Sequence, residues 1–281
     1  MTKDISPTGL MAVYKALGRK ATGKVAVKLH MGEPGGHNFL SPTLIRDFLS
    51  SVHGTIVDSN TAYYGQRVST ALHLQAAKDH GFTAVAPVDI LDADGTISLP
   101  VTNGSHLKED VVGSHYQDYD FFVILSHFKG HAMGGFGGAI KNMAIGIASV
   151  KGKNLIHTAG ASSTSMWGGA QDPFLESMAE AAKAVADDRG DKILYINVMN
   201  RLSVDCDCDS SPAEPDMRDI GILASLDPVA LDKACVDLVY AASDGKSLVV
   251  RIESRNGTHM LDHAEKIGLG SQTYKLVSIA G

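Results

Sequence analysis

The stretch KVAVKLHMGEPGGHNFLSPTLIRDFLSSVHGTIVDSNTAYYGQRVSTALHLQAAKDHG, residues 24–81, decides the fold class. It predicts strands at Lys24–Leu29 and Thr55–Val57, because both runs are short, apolar and rich in Val or Ile. A helix from Ser41-Pro42 to about Val52 follows the first strand, and a helix at Arg67–His80 follows the second. This alternation is typical of a mostly parallel sheet with helices on both faces, so the sequence predicts an α/β fold.

Further strands and helices are predicted outward from this stretch. Residues 84–113 alternate short extended pieces with turn residues and predict a small antiparallel addition. Lys153–Gly169 is rich in Ser and Gly and predicts a loop. The remaining strands are predicted at 121–125, 192–199, 219–224, 248–252 and 274–279, and the remaining helices at 142–150, 172–188, 227–242 and 259–267. We expect residues 1–281 to form one domain.

Composition excludes several classes of protein. The chain has 281 residues, 44% of them apolar, and a net charge of −6 without long runs of one sign, so no nucleic-acid footprint is expected. No apolar run approaches the roughly 18 residues of a membrane-spanning helix. The beginning of the sequence lacks a signal-peptide pattern, and three cysteines do not suit a secreted disulfide framework. We therefore expect a cytoplasmic protein.

The most distinctive motif is SHFKGHAMGGFGGAIKN, residues 126–142. It follows a buried strand, where open α/β sheets place their ligands, and it combines His127, Lys129, His131 and Lys141 with many glycines. Glycine allows positive φ and a close approach of the backbone, so Gly134, Gly135, Gly137 and Gly138 are predicted to bind an anionic ligand. The alternative is a tight strand-to-helix connection with surface histidines.

A second candidate site is DCDCD, residues 205–209. Cys206 and Cys208 lie on the same side of an extended chain, and thiolates are ligands for zinc, iron or nickel. Two cysteines do not complete a tetrahedral site, so His127, His131 or Cys235 would have to add a ligand. The alternative is a solvated acidic loop. Cys235 lies on the apolar face of a predicted helix and is expected to be a structural thiol.

Other polar residues follow strand ends or begin helices, and they are candidates for binding the ligand. The alternative for Lys28, His30 and Glu33 is a loop whose charges are solvated. The alternative for Asp58 and Asn60 is a turn cap, and for Asp227 it is a helix N-cap. His259 and His263 share a helix face but are expected to be ordinary surface histidines. The ligand-binding candidates are Lys28, His30, Glu33, Asp58, Asn60, Arg67, Asn142, Asp227 and Asp232.

Several of these segments together resemble the bacterial and archaeal family called domain of unknown function 362, often labelled as iron–sulfur cluster-binding. The resemblance rests on KLHMGEPGG, DSNTAYYGQR, AAKDHGF, HFKGHAMGGFGGAIKNMAIGIAS, DCDC, DIGILASLDPVALDKACVDLV and AEKIGLGSQTYKLVSI. Family members often carry a ferredoxin-like insert with two four-cysteine runs after the glycine-rich motif. Here residues 153–173 contain no cysteine, so the two [4Fe–4S] clusters that the label implies are not expected.

The glycine-rich segment also faintly resembles that of the lactate racemase superfamily. There a His before the glycines and a following Lys serve a nickel-containing cofactor, and His131 and Lys141 are the nearest counterparts. This resemblance is an analogy.

The sequence favours a metal- or cofactor-dependent enzyme that acts on a small anionic molecule. In this interpretation Cys206 and Cys208 hold a transition metal (Fe, Ni or Zn), His131 with His127 nearby is a ligand or acid–base group, and Lys129 and Lys141 neutralise substrate charge. The reaction would be a redox or isomerase step. The alternatives are a non-catalytic metal or iron–sulfur carrier, and a member without redox function. Substrate, metal, oligomeric state and a redox partner protein that replaces the insert stay open.

Overall fold

The central feature of the computed structural model, which describes residues 1–279, is a six-stranded sheet. The strands in chain order are β1 (Val25–Lys28), β2 (Thr55–Asp58), β3 (Val88–Ile90), β4 (Thr96–Pro100), β5 (Glu109–Gly113), β6 (Phe121–His127), β7 (Lys129–His131), β8 (Gly135–Gly137), β9 (Ile193–Met199) and β10 (Gly221–Ser225). The strand order in the six-stranded sheet is β10-β9-β6-β1-β2-β3, and two pairs of short strands, β4-β5 and β7-β8, lie outside it.

Helices cover both faces of the sheet. They are α1 (Pro7–Ala16), α2 (Pro42–Val52), α3 (Thr70–Asp79), α4 (Ala139–Ile147), α5 (Val150–His157), α6 (Gln171–Arg189), α7 (Pro228–Ala241), α8 (Lys246–Ser254) and α9 (His259–Lys266). Alternate residues of β6 point to opposite faces, so Phe122 and Ile124 join one apolar cluster while Val123 and Leu125 join the other. Burial on both sides explains why this strand is a continuous apolar run.

Strand direction confirms the predicted fold class. β1 pairs in parallel with β2 and β6, β2 with β3, and β6 with β9, while β10 alone is antiparallel to its neighbour β9. The antiparallel β4-β5 pair lies inside the predicted 84–113 addition, but β3, in the same range, is parallel to β2 and belongs to the main sheet. The structure is therefore α/β with a mostly parallel sheet.

Two predicted elements were wrong. Residues 248–252 form part of α8 rather than a strand: Leu248 and Ile252 are four residues apart and both fully buried, which is the spacing of a helix face. Lys153–Gly169 is not a loop throughout, because α5 extends to His157 and its N-cap, Ser149, accepts a hydrogen bond from the backbone of Gly152.

The end of the chain also differs from its prediction. Residues 274–279 do not form one of the strands assigned within residues 1–279. Instead, Val277 O accepts a hydrogen bond from the Met1 amino group, and Ile279 N–H donates to Met1 O. This segment therefore lies beside the beginning of the chain, which itself bridges to β10 through Thr2.

No helix within residues 1–279 combines the length and the apolar character that crossing a membrane requires.

Candidate functional site

A pocket of about 380 Å³ opens at the carboxyl edge of the sheet. The loops that follow β1, β2, β7 and β9 all contribute to its wall, through Glu33, Tyr63, Ala132 and Asp205 respectively. The strands β1, β2, β6 and β9 are parallel and end at the same edge, and β7 follows β6 directly, so these loops meet although they are far apart in the sequence. The glycine-rich motif and the DCDCD loop therefore share one pocket.

Three soft or borderline donors meet in this pocket. The Sγ atoms of Cys206 and Cys208 and a ring nitrogen of His131 all lie within 4.8 Å of one another. His131 Nε2 is 3.9 Å from Cys208 Sγ, and the backbone N–H of Cys208 donates to Cys206 Sγ at 3.3 Å. Two sulfurs and an imidazole are a donor set compatible with a transition metal. We call these three residues the thiol–imidazole group.

The β7-β8 pair places His131, and one glycine makes that placement possible. Gly130 N–H donates to Ser203 O at 2.8 Å, and a Cβ atom on Gly130 would come within 2.1 Å of Val204 O. Only glycine therefore allows β7 to lie against the chain that leads into the cysteines. This contact brings His131 to the thiols.

His131 is held by its own loop. Its Nδ1 accepts the backbone N–H groups of Met133 at 3.1 Å and Gly134 at 2.9 Å. A neutral ring then carries its proton on Nε2, the nitrogen that faces the sulfurs. Burial and the nearby Lys141 lower the pKa of His131, so the ring is neutral at pH 7.

His127 lies outside the thiol–imidazole group. Its Nδ1 contacts both carboxylate oxygens of Asp207 at 2.9 Å, and its Nε2 contacts Asn200 O at 2.6 Å. Lys129 Nζ also contacts Asp207, at 3.0 Å. Burial opposes the charge on Asp207, but His127 and Lys129 outweigh burial and lower the pKa of this carboxyl. The side chains of His127 and Lys129 are thus both paired with the buried carboxylate of Asp207.

The predicted ligand residues on β1, on β2 and on the loops that follow these strands form buried ion pairs. Lys28 Nζ is 3.1 Å from Asp58 Oδ1, and Arg67 Nε is 2.8 Å from Glu33 Oε2. Of these residues, Glu33 lines the pocket. Their charges offset each other, so they support the wall of the pocket more than they present free charge to it.

His30, Asn60 and Asn142 also make internal hydrogen bonds. His30 Nδ1 accepts Gly32 N–H at 3.0 Å, and Asn60 Nδ2 donates to Thr70 Oγ1 at 3.1 Å. Asn142 Nδ2 donates to Lys28 O and Leu125 O, both at 3.1 Å. Asn142 thereby ties the end of β1 to β6.

Lys141 differs from the other basic residues near the pocket. Within residues 1–279 it has neither an ion-pair partner nor a hydrogen bond from its side chain, and it is only partly buried. After burial, it is the largest influence that lowers the pKa of His131, so its charge acts on the thiol–imidazole group. An unpaired cation at this position suits an anionic ligand.

Asp227 and Asp232 have structural contacts away from the pocket wall. Asp227 Oδ1 accepts the N–H groups of Val229 at 2.8 Å and Ala230 at 3.0 Å, which makes it the N-cap of α7. Asp232 accepts N–H groups at the beginning of α4, beside Gly138, where a Cβ would come within 2.3 Å of Asp232 Oδ1. Gly138 therefore allows the glycine-rich motif to pack on α7.

Sequence reasoning missed three residues of this region. Tyr63 and Gln66 line the pocket, and Asp207 lies buried directly beneath the cysteines. The only signal for Asp207 was its place between Cys206 and Cys208, because its partners are about 80 positions away. Tyr63 and Gln66 lie in the DSNTAYYGQR segment without a pattern of their own.

The two thiols are expected to titrate very differently in metal-free protein. A hydrogen bond with Cys208, helped by His131 and Lys129, lowers the pKa of Cys206 well below its usual value despite burial, whereas the same hydrogen bond and burial raise the pKa of Cys208. Cys206 is then the more acidic of the two thiols. Its alkylation rate by iodoacetamide should rise less between pH 7 and 9 than that of a free thiol, because a thiol with a lowered pKa is ionised to a larger extent at the lower pH.

A free thiol would instead react roughly 20-fold faster over the same range, because its thiolate fraction rises by that factor. Mass spectrometry of the alkylated peptides separates Cys206 from Cys208. A Cys206 rate that climbs like that of a free thiol would contradict this assignment.

Comparisons with known proteins show what this chain is similar to. The family model described as a domain of unknown function (DUF362) matches residues 25–237. Among curated proteins, none matches this chain. The chain is similar to the structure of the lactate racemase apoprotein from Thermoanaerobacterium thermosaccharolyticum, at 16% identity and a TM-score of 0.49, over 85% of this chain and 56% of that one.

It is also similar to a protein of known structure from Thermotoga maritima, at 13% identity and a TM-score of 0.46, over 92% of this chain and 58% of that one. This chain thus spans little more than half the length of either solved structure.

Proposed function

This chain belongs to the domain of unknown function 362 family, and we propose that it is a metal- or cofactor-dependent enzyme that acts on a small anionic molecule. One observation carries the proposal: Cys206, Cys208 and His131 meet within 4.8 Å in a pocket that opens to solvent. Three donors on one side of an open pocket leave further coordination positions for a substrate, which is the arrangement of catalytic rather than structural metal sites.

The chemistry of the donors fits Fe, Ni or Zn. Thiolates are soft ligands, and an imidazole nitrogen suits all three metals. His131 can bind the metal through Nε2 only when its ring proton lies on Nδ1, which then no longer accepts the two backbone N–H groups. Protonated thiols lose their protons when they bind a metal, so binding is weaker at low pH. Two ferredoxin-type [4Fe–4S] clusters need eight cysteines, and the chain has three.

The charges around the pocket support an anionic substrate. Lys28, Arg67 and Lys129 each lie within ion-pair distance of a buried carboxylate. Lys141 has no such partner among residues 1–279, so its ammonium group is available to a carboxylate or phosphate of the substrate. In this proposal Lys129 contributes indirectly, through Asp207.

His131 provides the acid–base chemistry or the third ligand. Its neutral ring presents Nε2–H to the pocket, so it can donate a hydrogen bond to a bound anion, or bind metal through Nε2 once the ring proton lies on Nδ1. If the enzyme moves a proton at carbon the reaction is an isomerisation, and if it moves a hydride the reaction is a redox step. An open pocket beside an unpaired lysine favours such an enzyme over a metal carrier, which needs no substrate-binding cation.

Metabolite screening tests the enzyme proposal. Protein reconstituted with Fe, Ni or Zn is incubated with a small-molecule extract, and the change in anionic metabolites is followed by mass spectrometry. Lys141→Met is expected to slow the reaction about 10–100-fold, because it removes a charge-assisted contact worth roughly 1.5–3 kcal/mol. Lys151→Met, at an exposed position of α5, is the matched control and should keep the wild-type rate.

Two results would reject an enzyme. The first is a wild-type profile identical to that of His131→Ala in every metal-loaded form. The second is metal binding without any metabolite change, which is what a carrier would give.

A further inference from the structure

We infer that Asp207, the residue between the two cysteines, is a positioning residue that holds both thiols toward the pocket. This inference deepens the proposed function and rests on the thiol pair being the ligand-binding part of the site. Asp207 is 2% exposed, and neither His127 nor Lys129, its two partners, belongs to the thiol–imidazole group. Its role is therefore to fix geometry rather than to bind a ligand.

The side chain of Asp207 is anchored on the strand that feeds the site. Both carboxylate oxygens lie 2.9 Å from Nδ1 of His127, the last residue of β6, and one lies 3.0 Å from Nζ of Lys129 on β7. His127 is itself held by Asn200 O at 2.6 Å. The anchor thus connects the cysteine loop to a strand of the sheet that is buried at every position.

The backbone around Asp207 is anchored as well. Asp207 O accepts the N–H of Glu33 at 2.8 Å, and Cys206 O accepts the N–H of Asp209 at 2.9 Å. Residues 207 and 208 form a turn, and the N–H of Cys208 donates to Cys206 Sγ at 3.3 Å. With the Asp207 side chain fixed beneath this turn, the two neighbouring thiols lie together on the pocket side.

Charge balance explains why a carboxylate occupies this position. Lys129 is 7% exposed, and among residues 1–279 its ammonium group otherwise donates only to the carbonyl oxygen of His127, at 3.0 Å. A buried ammonium group needs an opposite charge, and Asp207 provides it. Without the carboxylate, Lys129 would turn toward the pocket and the cysteine loop would lose its anchor. The distance between the two thiols would then vary, and a single arsenic or metal atom could no longer bind both of them.

Phenylarsine oxide tests this inference, because a trivalent arsenical binds tightly only when two thiols are held close together. Wild type should bind one arsenical through Cys206 and Cys208, and Asp207→Asn should weaken this capture at least about tenfold, the loss typical when a residue that orients a ligand is removed. The matched control is Glu214→Gln, because Glu214 is an exposed carboxylate on the same loop that pairs with His37 at 2.7 Å. It should bind like wild type.

Alkylation by iodoacetamide separates lost positioning from lost folding. That reagent needs only one thiol, so a folded Asp207→Asn protein should still be alkylated at Cys206 and Cys208. Cys235 is fully buried and should react only if the variant unfolds. If Asp207→Asn unfolds, Lys129→Met becomes the decisive variant, because it removes one contact of the Asp207 side chain and keeps the carboxylate. It should lower binding of the arsenical while Cys235 stays protected from alkylation.

The outcomes distinguish this inference from the proposed function. Capture by Asp207→Asn, or by Lys129→Met in the unfolded case, at the wild-type level would overturn the inference, as would a wild-type protein that does not capture the arsenical. Capture by wild type that is lost in Asp207→Asn, together with no metal binding, would support the positioning role and reject the metal-dependent function.

Discussion

Asp232→Ala is expected to lower the free energy of unfolding by about 3 kcal/mol or more at pH 7, because it leaves three buried donors without an acceptor. The carboxylate accepts the N–H of Ala139 at 2.7 Å, the N–H of Ile140 at 3.0 Å and Nδ2 of Asn197 at 2.7 Å. Asp232 is fully buried, so water cannot replace these contacts. Urea denaturation followed by circular dichroism measures the change.

The cost of this substitution should also depend on pH. Burial raises the pKa of Asp232 to about 6, although Ile140, Asn197 and Ala139 donate hydrogen bonds that oppose the shift. The folded-state pKa then lies above the unfolded value of about 4, so the pH-dependent part of the stability that this group contributes is fully present below about pH 4 and is lost as pH rises through about 6. The difference between wild type and Asp232→Ala should therefore shrink between about pH 4 and pH 6.

Asp237→Ala is the control on the same helix. Asp237 is partly exposed, pairs with Lys233 four residues earlier and accepts the hydroxyl of Tyr274 at 2.8 Å, and such exposed contacts are worth about 0.5 kcal/mol or less each. Its substitution should lower the free energy of unfolding by about 1 kcal/mol or less. Equal losses in the two variants would show that the contacts of Asp232 with α4 do not stabilise the protein.

Much of the fold could be predicted from the sequence because its signals are local. Ser41 caps α2 through the backbone of Thr43, and Pro42 begins that helix, as the pair of residues indicates. The run at 248–252 misled the prediction, since Val249 and Val250 favour a strand locally. Packing of Leu248 and Ile252 on the core decides for a helix, and that contact is not visible in five residues of sequence.

The sequence predicts the types of residue in the candidate site, but it does not predict which histidine lies beside the two cysteines. The glycine-rich motif and DCDCD were predicted as ligand segments, and His131 and the two cysteines meet in the structure. Which histidine meets the thiols depends on contacts between distant segments. Gly130 lets β7 approach Val204, whereas the ring of His127 turns to Asp207. Neither contact has a pattern in the sequence around it.

The second large effect is the loss of metal when both thiols are removed. Cys206 and Cys208 supply two of the three donors that lie within 4.8 Å of one another. Serine keeps their size but is a poor ligand for Fe, Ni or Zn, so the imidazole of His131 alone should not retain a metal. Cys235→Ser is the matched control, because Cys235 is buried in α7 and lies outside the thiol–imidazole group.

The most direct test is the metal content of anaerobically purified protein, measured by inductively coupled plasma mass spectrometry after growth with added Fe, Ni or Zn. Wild type and Cys235→Ser should carry about one transition-metal ion per chain, and the double variant Cys206→Ser/Cys208→Ser should carry less than about a tenth of that. Wild-type protein without metal under every growth condition, or a double variant with the wild-type content, would contradict the metal-dependent site.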